Sequence, residues 1–336
     1  MMPLPRIDDV TVEITNRCQL HCRACGIWRE KGIREITPRR FQGLMTDLLS
    51  RFRIGSVSIT GGEPFCHDGI GGILRHLAGL RARKILHSFG VYTNGAMPGP
   101  IAAFFKSHAR FLDGMTVGIS IDGDEKIHDR LRGKGSFARS RATLELLASR
   151  YPGVLLPEVK FTLSTENYAT MAGVYDLARS FTASFSPKIV ESGVSAYYHR
   201  QGTPGAVSLT ALTPAMILAV RRQGRDILEK AAHDKGRGVD AVMLRLFLQL
   251  LSGRAGHRSC QTPGRCLFIT SHGGIYPCLY LPAAGRLKAD GRLPAGFNTA
   301  RADRAQCGME RRCPGCFAYH GYMKRFNVLK DGKTFS

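Results

Sequence analysis

Short apolar runs recur through the first 190 residues at intervals that leave room for a helix between successive runs. Val10 to Ile14, Ser56 to Thr60, Leu86 to Thr93, Met115 to Ile121, Glu158 to Ser164 and Phe185 to Val190 each read as a strand, enriched as they are in Val, Ile, Phe and Thr. Helical stretches fit between them, and Thr37-Pro38 is a helix-start signal: a capping residue followed by proline at the first helical position. Six such units in succession predict an α/β fold, a partial (β/α)6 parallel barrel.

From Ser192 to Thr210 the pattern gives way to Gly, Ser, Tyr and Pro, which reads as a connection. Two helices are expected after it, from Thr213-Pro214 and from near Val239. Cys266 to Cys278 then reads as a β-hairpin turning at Gly273-Gly274, and Cys307, Cys313 and Cys316 open a last helix. The chain therefore divides into a barrel over residues 1–191, a linker with helices over 192–255, and a small cysteine-rich α+β domain over 256–336. No internal repeat interrupts this order.

Polar motifs close the strands. Cys18-x3-Cys22-x2-Cys25 follows the first, Gly61-Gly62-Glu63-Pro64 the second, Thr93-Asn94-Gly95 the third, Ser120-Ile121-Asp122-Gly123 the fourth and Leu163-Ser164-Thr165 the fifth. Parallel barrels carry their chemistry at the C-terminal ends of the strands, where all five motifs fall. Three closely spaced thiolates can hold three corners of a cubane iron–sulfur cluster and leave the fourth iron open to a ligand. The same spacing elements also build zinc sites and redox pairs, or are simply buried thiols. Glycines without Cβ let the backbone approach a ligand closely, or simply turn a strand into a helix.

The cysteine loop, Gly-Gly-Glu-Pro, Thr-Asn-Gly, and Ser-Ile-Asp-Gly followed by His128-Asp129-Arg130-Leu131-Arg132-Gly133 together resemble the radical S-adenosylmethionine (SAM) superfamily over about residues 8 to 190. The last third resembles the auxiliary-cluster extensions known as SPASM and twitch. The resemblance implies a 4Fe-4S cluster on Cys18, Cys22 and Cys25 that chelates SAM through its open iron and reduces it to methionine and a 5′-deoxyadenosyl radical, which abstracts hydrogen from carbon. It makes Gly61, Gly62, Glu63, Asn94, Ser120, Asp122, Arg132 and Ser164 candidate SAM-binding residues, with Arg132 a partner for the SAM carboxylate.

For the C-terminal cysteines the resemblance implies one auxiliary 4Fe-4S cluster. Its ligands are Cys260, Cys266, Cys278 and Cys316, or a twitch-like set in which Cys313 joins Cys316; zinc is the competing metal. The chain departs from the full SPASM pattern in lacking the first cysteine of the C-x2-C-x5-C run and any cysteine beyond Cys316, which argues against a third cluster.

Other residues are weighed singly. Glu191, Tyr197, Tyr198 and His199 follow the sixth strand; Glu191 is a candidate base for an oxidative reaction, whereas the tyrosines and histidine more simply cover the barrel. His128 and Asp129 are expected to order their own loop, Cys66 to be a structural thiol or a substrate contact, and Trp28 to pack behind the cysteine loop.

Composition narrows the setting. With 336 residues, 43% hydrophobic and 22% charged, the chain is of ordinary globular composition. No apolar run reaches the roughly 18 residues of a membrane helix, the N-terminus has no apolar signal core, and ten cysteines then favour metal or catalytic roles in a reducing cytoplasm. Lys and Arg number 48 against 26 Asp and Glu, a net +22, and residues 252–336 hold 14 basic against 4 acidic residues. An anionic partner such as RNA or an acidic peptide would use that charge, as would a plain basic surface offsetting cluster charge; no compact basic run interleaved with aromatics favours RNA. The expected function is hydrogen abstraction from a peptide or small natural-product substrate, with flavodoxin or ferredoxin as electron donor. An RNA-modifying enzyme and a non-enzymatic iron–sulfur or zinc protein are the alternatives.

Overall fold

The computed structural model describes residues 4–189, 212–233, 265–278 and 282–297, together with helical residues between Leu244 and Leu251. Its frame is six strands: β1 (Arg6–Glu13), β2 (Arg53–Thr60), β3 (Ser88–Thr93), β4 (Met115–Ser120), β5 (Leu155–Leu163) and β6 (Ser184–Ile189). Between them run α1 (Pro38–Arg51), α2 (Ile70–Ala82), α3 (Pro98–His108), the pair α4 (Glu125–Arg132) and α5 (Ser136–Arg150), and α6 (Met171–Ser180). The strands lie in sequential order, every neighbouring pair parallel, as the alternation of strand and helix patterns predicts.

The helix starts follow their capping chemistry. Thr37 Oγ1 accepts the Arg40 N–H at 3.3 Å and Pro38 opens α1. Thr213 Oγ1 does the same for Met216 at 3.3 Å, with Pro214 opening α7 (Pro214–Ala232). Each cap contributes about 1 kcal/mol. Helix α1 buries Phe41, Leu44, Met45 and Leu48, the i, i+3, i+4, i+7 stripe of a helix laid on a sheet. Leu244, Phe247 and Leu251 are helical and buried, so the described part of the next helix conforms to expectation; a Cβ on Gly224 of α7 would stand 2.6 Å from Leu248.

The two faces of the sheet differ in kind. Val10, Val12, Val57, Ile59, Phe89, Val91, Val117, Ile119, Val159 and Phe161 point to the helices and are buried. The alternate positions are Thr11, Glu13, Ser58, Tyr92, Gly118, Glu158, Lys160 and Ser186, aligned across the strands by their register. Parallel strands covered by helices on both faces read as continuous apolar runs, so this alternation marks a polar interior. Within it the Lys160 ammonium lies 4.6 Å from the Tyr92 ring centroid, 2.7 Å from Glu158 and 3.3 Å from Ser186 Oγ. Gly118 makes room for that stack, since a Cβ there would meet the Tyr92 ring at 2.5 Å.

In the described part of the last third the barrel sheet continues. Strand β7 (Cys266–Ile269) lies parallel to β1, with Asp9 opposite Cys266 and Val12 opposite Ile269. The expected hairpin returns through β8 (Gly274–Tyr276), Gly273 supplying the left-handed turn at φ 82°, and β9 (Gly285–Arg286) closes this side.

Candidate active site at the strand ends

The segment after β1 is braced before the cysteines begin. Thr15 Oγ1 and Arg17 Nε both donate to Glu35 at 2.8 Å, and Asn16 Nδ2 donates to the Gly32 carbonyl while its Oδ1 accepts the Arg34 N–H. Cys18, Cys22 and Cys25 follow, all partly exposed. Trp28 packs as expected: its indole N–H donates to the Cys22 carbonyl at 3.3 Å and its ring lies 4.7 Å from that of His21.

Gly61 and Gly62 meet that segment edge-on. The Gly62 and Glu63 N–H groups donate to the Thr15 and Arg17 carbonyls at 2.8 and 2.7 Å. A Cβ on Gly61 would stand 2.6 Å from the Thr15 oxygen, and one on Gly62 2.3 Å from the Arg17 oxygen. Close approach of backbone to backbone therefore already requires both glycines. Glu63 is wholly buried; its carboxylate accepts Thr93 Oγ1–H at 2.7 Å, the Asn94 N–H at 2.8 Å and the Phe65 N–H at 3.1 Å. Burial pushes its pKa up to about 7 in spite of those donors.

Asn94 links this turn to the cysteines. Its Nδ2 points at Cys18 Sγ at 3.7 Å, and its Oδ1 accepts from Gln19 Nε2 at 3.0 Å and the Ala96 N–H at 2.8 Å. From behind, Ser140 and Thr143 of α5 donate to the carbonyls of Asn94 and Gly95 at 2.7 and 2.6 Å.

On the far side Asp122 organises the loop after β4. Arg132 Nε donates to Asp122 Oδ2 at 2.6 Å, the Thr162 N–H donates to Oδ1 at 2.8 Å, and the Asp122 N–H donates to His128 Nδ1 at 3.1 Å. The Arg132 carbonyl lies 3.9 Å from Cys22 Sγ. Burial opposes the charge of the guanidinium, but Asp122 together with Cys22 and Cys25 more than offsets this and raises its pKa. Asp129 does order its own loop, accepting from the Phe137 N–H at 2.8 Å and from Gly135. Ser164 is engaged in a turn, its N–H and hydroxyl both donating to Asn167 Oδ1, while Asn167 Nδ2 ties the Asp122 and Thr162 carbonyls together at 2.9 Å each. Ser120, half-exposed, ends β4 beside Asp122.

The proposed site residues from the barrel thus converge on one end of the sheet. Gln19, Ser140, Thr143 and Asn167, which hold them, carry no motif signal; only the spacing of Ser164 and Asn167 suggests a side-chain turn. Cys66 Sγ lies 3.7 Å from Met97 Sδ and faces, with Cys18 and Trp28, a cleft of about 640 Å³ outside the cysteine loop. Glu191, Tyr197, Tyr198, His199, Cys260, Cys307, Cys313 and Cys316 lie outside the described residues. Cys266 and Cys278 are described, and extending the pairing of Phe268 with Tyr276 by one step on the same face sets them opposite each other.

The donor set fits an iron–sulfur cluster. Burial pushes the Cys18 thiol up to about 12 and the Cys25 thiol up to about 11, so these sulfurs become thiolates only where a metal supplies compensating charge. An amide N–H at Cys18 and a guanidinium beside Cys22 and Cys25 are outer partners suited to thiolates. Among the described residues no three His, Cys, Asp or Glu side chains converge on a single-ion site; cubane ligands, one to each iron, need no such convergence.

A partial parallel barrel with a triple-thiol loop behind its first strand and Gly-Gly-Glu-Pro behind its second is the arrangement on which the resemblance to radical SAM proteins rests. Residues 12–163 match the Radical SAM superfamily. The chain is 31% identical over 142 residues to the antilisterial bacteriocin subtilosin biosynthesis protein AlbA of Bacillus subtilis, covering 41% of this chain and 30% of that one. It is 27% identical over 167 residues to the sporulation killing factor maturation protein SkfB of the same organism, covering 49% and 38%. It therefore spans well under half the length of these relatives. The structure of Streptococcus suis SuiB bound to S-adenosylmethionine superposes with a TM-score of 0.60 over 82% of this chain and 61% of SuiB, at 15% identity, a shared fold. No helix among the described residues is long and apolar enough to cross a membrane.

Proposed function

We propose that the protein is a radical SAM enzyme that modifies a peptide, carrying a SAM-binding 4Fe-4S cluster on Cys18, Cys22 and Cys25 and one auxiliary 4Fe-4S cluster at the C-terminal cysteines. The observation that carries this reading is the meeting of the Cys18–Cys25 loop, the Asn94 amide at Cys18 and the Asp122–Arg132 pair at Cys22 on one end of a polar-lined barrel. When bound, the cluster supplies the electron that splits a carbon–sulfur bond of SAM into methionine and the 5′-deoxyadenosyl radical.

The chain's own residues orient the cosubstrate. The Arg132 guanidinium, held through Nε by Asp122 and facing the Cys22 thiol, is the partner for the SAM carboxylate in a charge-assisted fork. Glu63 and the carbonyls of its turn lie where the SAM amino group is received, and Ser120 and Ser164 flank the ribose side. Asn94 holds Cys18 and so the edge of the cluster. Glu191, two residues after Ile189 in the sequence, is the candidate base that takes a proton from an oxidised substrate.

A peptide substrate is supported by the relatives' names, which describe bacteriocin biosynthesis and killing-factor maturation, and by the likeness in fold to SuiB bound to its precursor peptide SuiA. It suits the polar barrel face, which the Lys160–Glu158 pair and the Tyr92 ring line. A flavodoxin or ferredoxin in a reducing cytoplasm would supply the electron. Anaerobically reconstituted protein is expected to hold about eight irons per chain and, once reduced, to form 5′-deoxyadenosine from SAM. Absence of both nucleoside formation and any spectroscopic change of the cluster on adding SAM would refute the reading.

A further inference from the structure

The side chains of three arginines serve nothing in the site at the strand ends. The chain returning from the cysteine loop to α1 and the turn of the β7–β9 sheet face each other across a second cleft, of about 600 Å³. Arg34 and Arg40 line it from one wall and Arg286 from the other. The neighbouring acids are engaged elsewhere: Glu35 accepts from Thr15 and Arg17 at 2.8 Å, and Glu30 meets His272 Nε2 at 2.6 Å. None of the three arginines pairs with an acid among the described residues. Arg40 Nε is moreover buried without a hydrogen-bond acceptor there, a state that costs the full desolvation penalty of a charged donor. An incoming anion relieves that cost, and guanidinium forks match carboxylates in geometry as well as charge.

We propose that this cleft docks an acidic segment of a peptide through its carboxylates, an inference that rests on the peptide reading of the active site. Ile33, 63% exposed at the rim, offers an apolar contact of the kind a peptide side chain can use. Among the described residues no Phe, Tyr or Trp lines the cleft, so they provide no stacking platform of the kind single-stranded nucleic acid requires. The placement is apt: the Arg34 N–H holds Asn16, two residues before Cys18, so a segment docked here enters beside the mouth of the barrel. The net charge of +22 would draw such a segment in from a distance.

Binding of fluorescein-labelled hexaglutamate to the reconstituted holoprotein, read by anisotropy at about 150 mM salt where long-range attraction is screened beyond ~8 Å, tests the proposal. Arg34→Gln/Arg40→Gln/Arg286→Gln should weaken binding at least tenfold, while Arg75→Gln/Arg83→Gln/Arg141→Gln, which removes equal charge from α2, its C-terminal end and α5, should change it less than threefold. Hexaglutamine should not bind. Equal losses in the two triple variants would overturn the proposal, as would tighter binding of a twelve-residue oligouridine through the same three arginines. Arg286→Glu, on an exposed strand, repeats the comparison should the Arg40 change unfold the protein. Formation of 5′-deoxyadenosine, measured on the same samples, is independent of the cleft, so failure here and failure of the active-site reading are told apart.

Discussion

Arg132 donates to Asp122 across 2.6 Å while its own carbonyl lies 3.9 Å from Cys22 Sγ. One residue at the end of α4 thus links the loop after β4 to the sulfur loop after β1. The ion pair is largely buried, the side chains being 17% and 8% exposed, and removing one partner of such a pair typically costs about 3–5 kcal/mol because the other charge is stranded. Asp122→Ala is therefore expected to lower stability on that order in denaturant melts. Arg132→Lys, which keeps the charge but loses the fork, should leave iron content near wild type and weaken SAM binding about tenfold or more by equilibrium dialysis; unchanged affinity would remove Arg132 from the SAM site.

Gly62→Ala tests the seam between the first two motif loops. The new methyl would stand 2.3 Å from the Arg17 carbonyl, which is backbone held by the Glu63 N–H and cannot swing aside as a side chain could. The cysteine loop must shift, and overpacking of this kind costs about 1–3 kcal/mol. Iron bound at the first site should fall at least by half, with the auxiliary iron retained. Full iron incorporation would mean that the loops separate more easily than their hydrogen bonds imply.

The strands and their terminal motifs were legible because each is local: an apolar run, then a polar turn, then a capped helix. The glycines of Gly61-Gly62 were also visible, but their partners, the Thr15 and Arg17 carbonyls, lie some 45 residues back in the chain, so a ligand was the natural explanation for them. Cys266 to Cys278 announces a hairpin, yet nothing local says that β7 pairs with β1 more than 250 residues earlier. Asn167, Ser140 and Thr143 were missed for a related reason. A single polar residue in a turn or helix is unremarkable until burial shows that it must have a partner, and burial is a property of the fold.

The hairpin also supports a test of the auxiliary site. Cys266 lies level with Asp9, four residues below the end of β1, so it sits roughly 13 Å down the strand from that end at 3.3 Å per residue. Cys266→Ala and Cys278→Ala should each reduce iron from about eight to about four per chain and abolish peptide modification, while 5′-deoxyadenosine still forms in the absence of peptide. Zinc in the wild-type protein, found by metal analysis beside about four irons, would reassign the second site and leave the first untouched.

His128 gives a prediction in pH. It is wholly buried, its Nδ1 accepts the Asp122 N–H at 3.1 Å, and burial, with Arg132 adding to it, holds its pKa down at about 4. The folded protein therefore binds fewer protons than the unfolded chain between about pH 4 and 6.5, so this group's contribution is complete above that window and is lost as pH falls through it. The full effect is on the order of 3 kcal/mol. Glu63, held up at about 7 by burial, acts in the opposite sense, lowering stability as pH rises from its ordinary value towards 7. The difference between two proteins is thus the proper readout. His128→Asn places an amide oxygen where Nδ1 accepts, without a titrating proton. Relative to this variant, wild type should lose stability in denaturant melts as pH is lowered from 7 to 5.5, and the two should run parallel from 7 to 8. Parallel curves throughout would show that the imidazole takes up a proton as readily in the fold as in the unfolded chain and that Asp122 is positioned by another group.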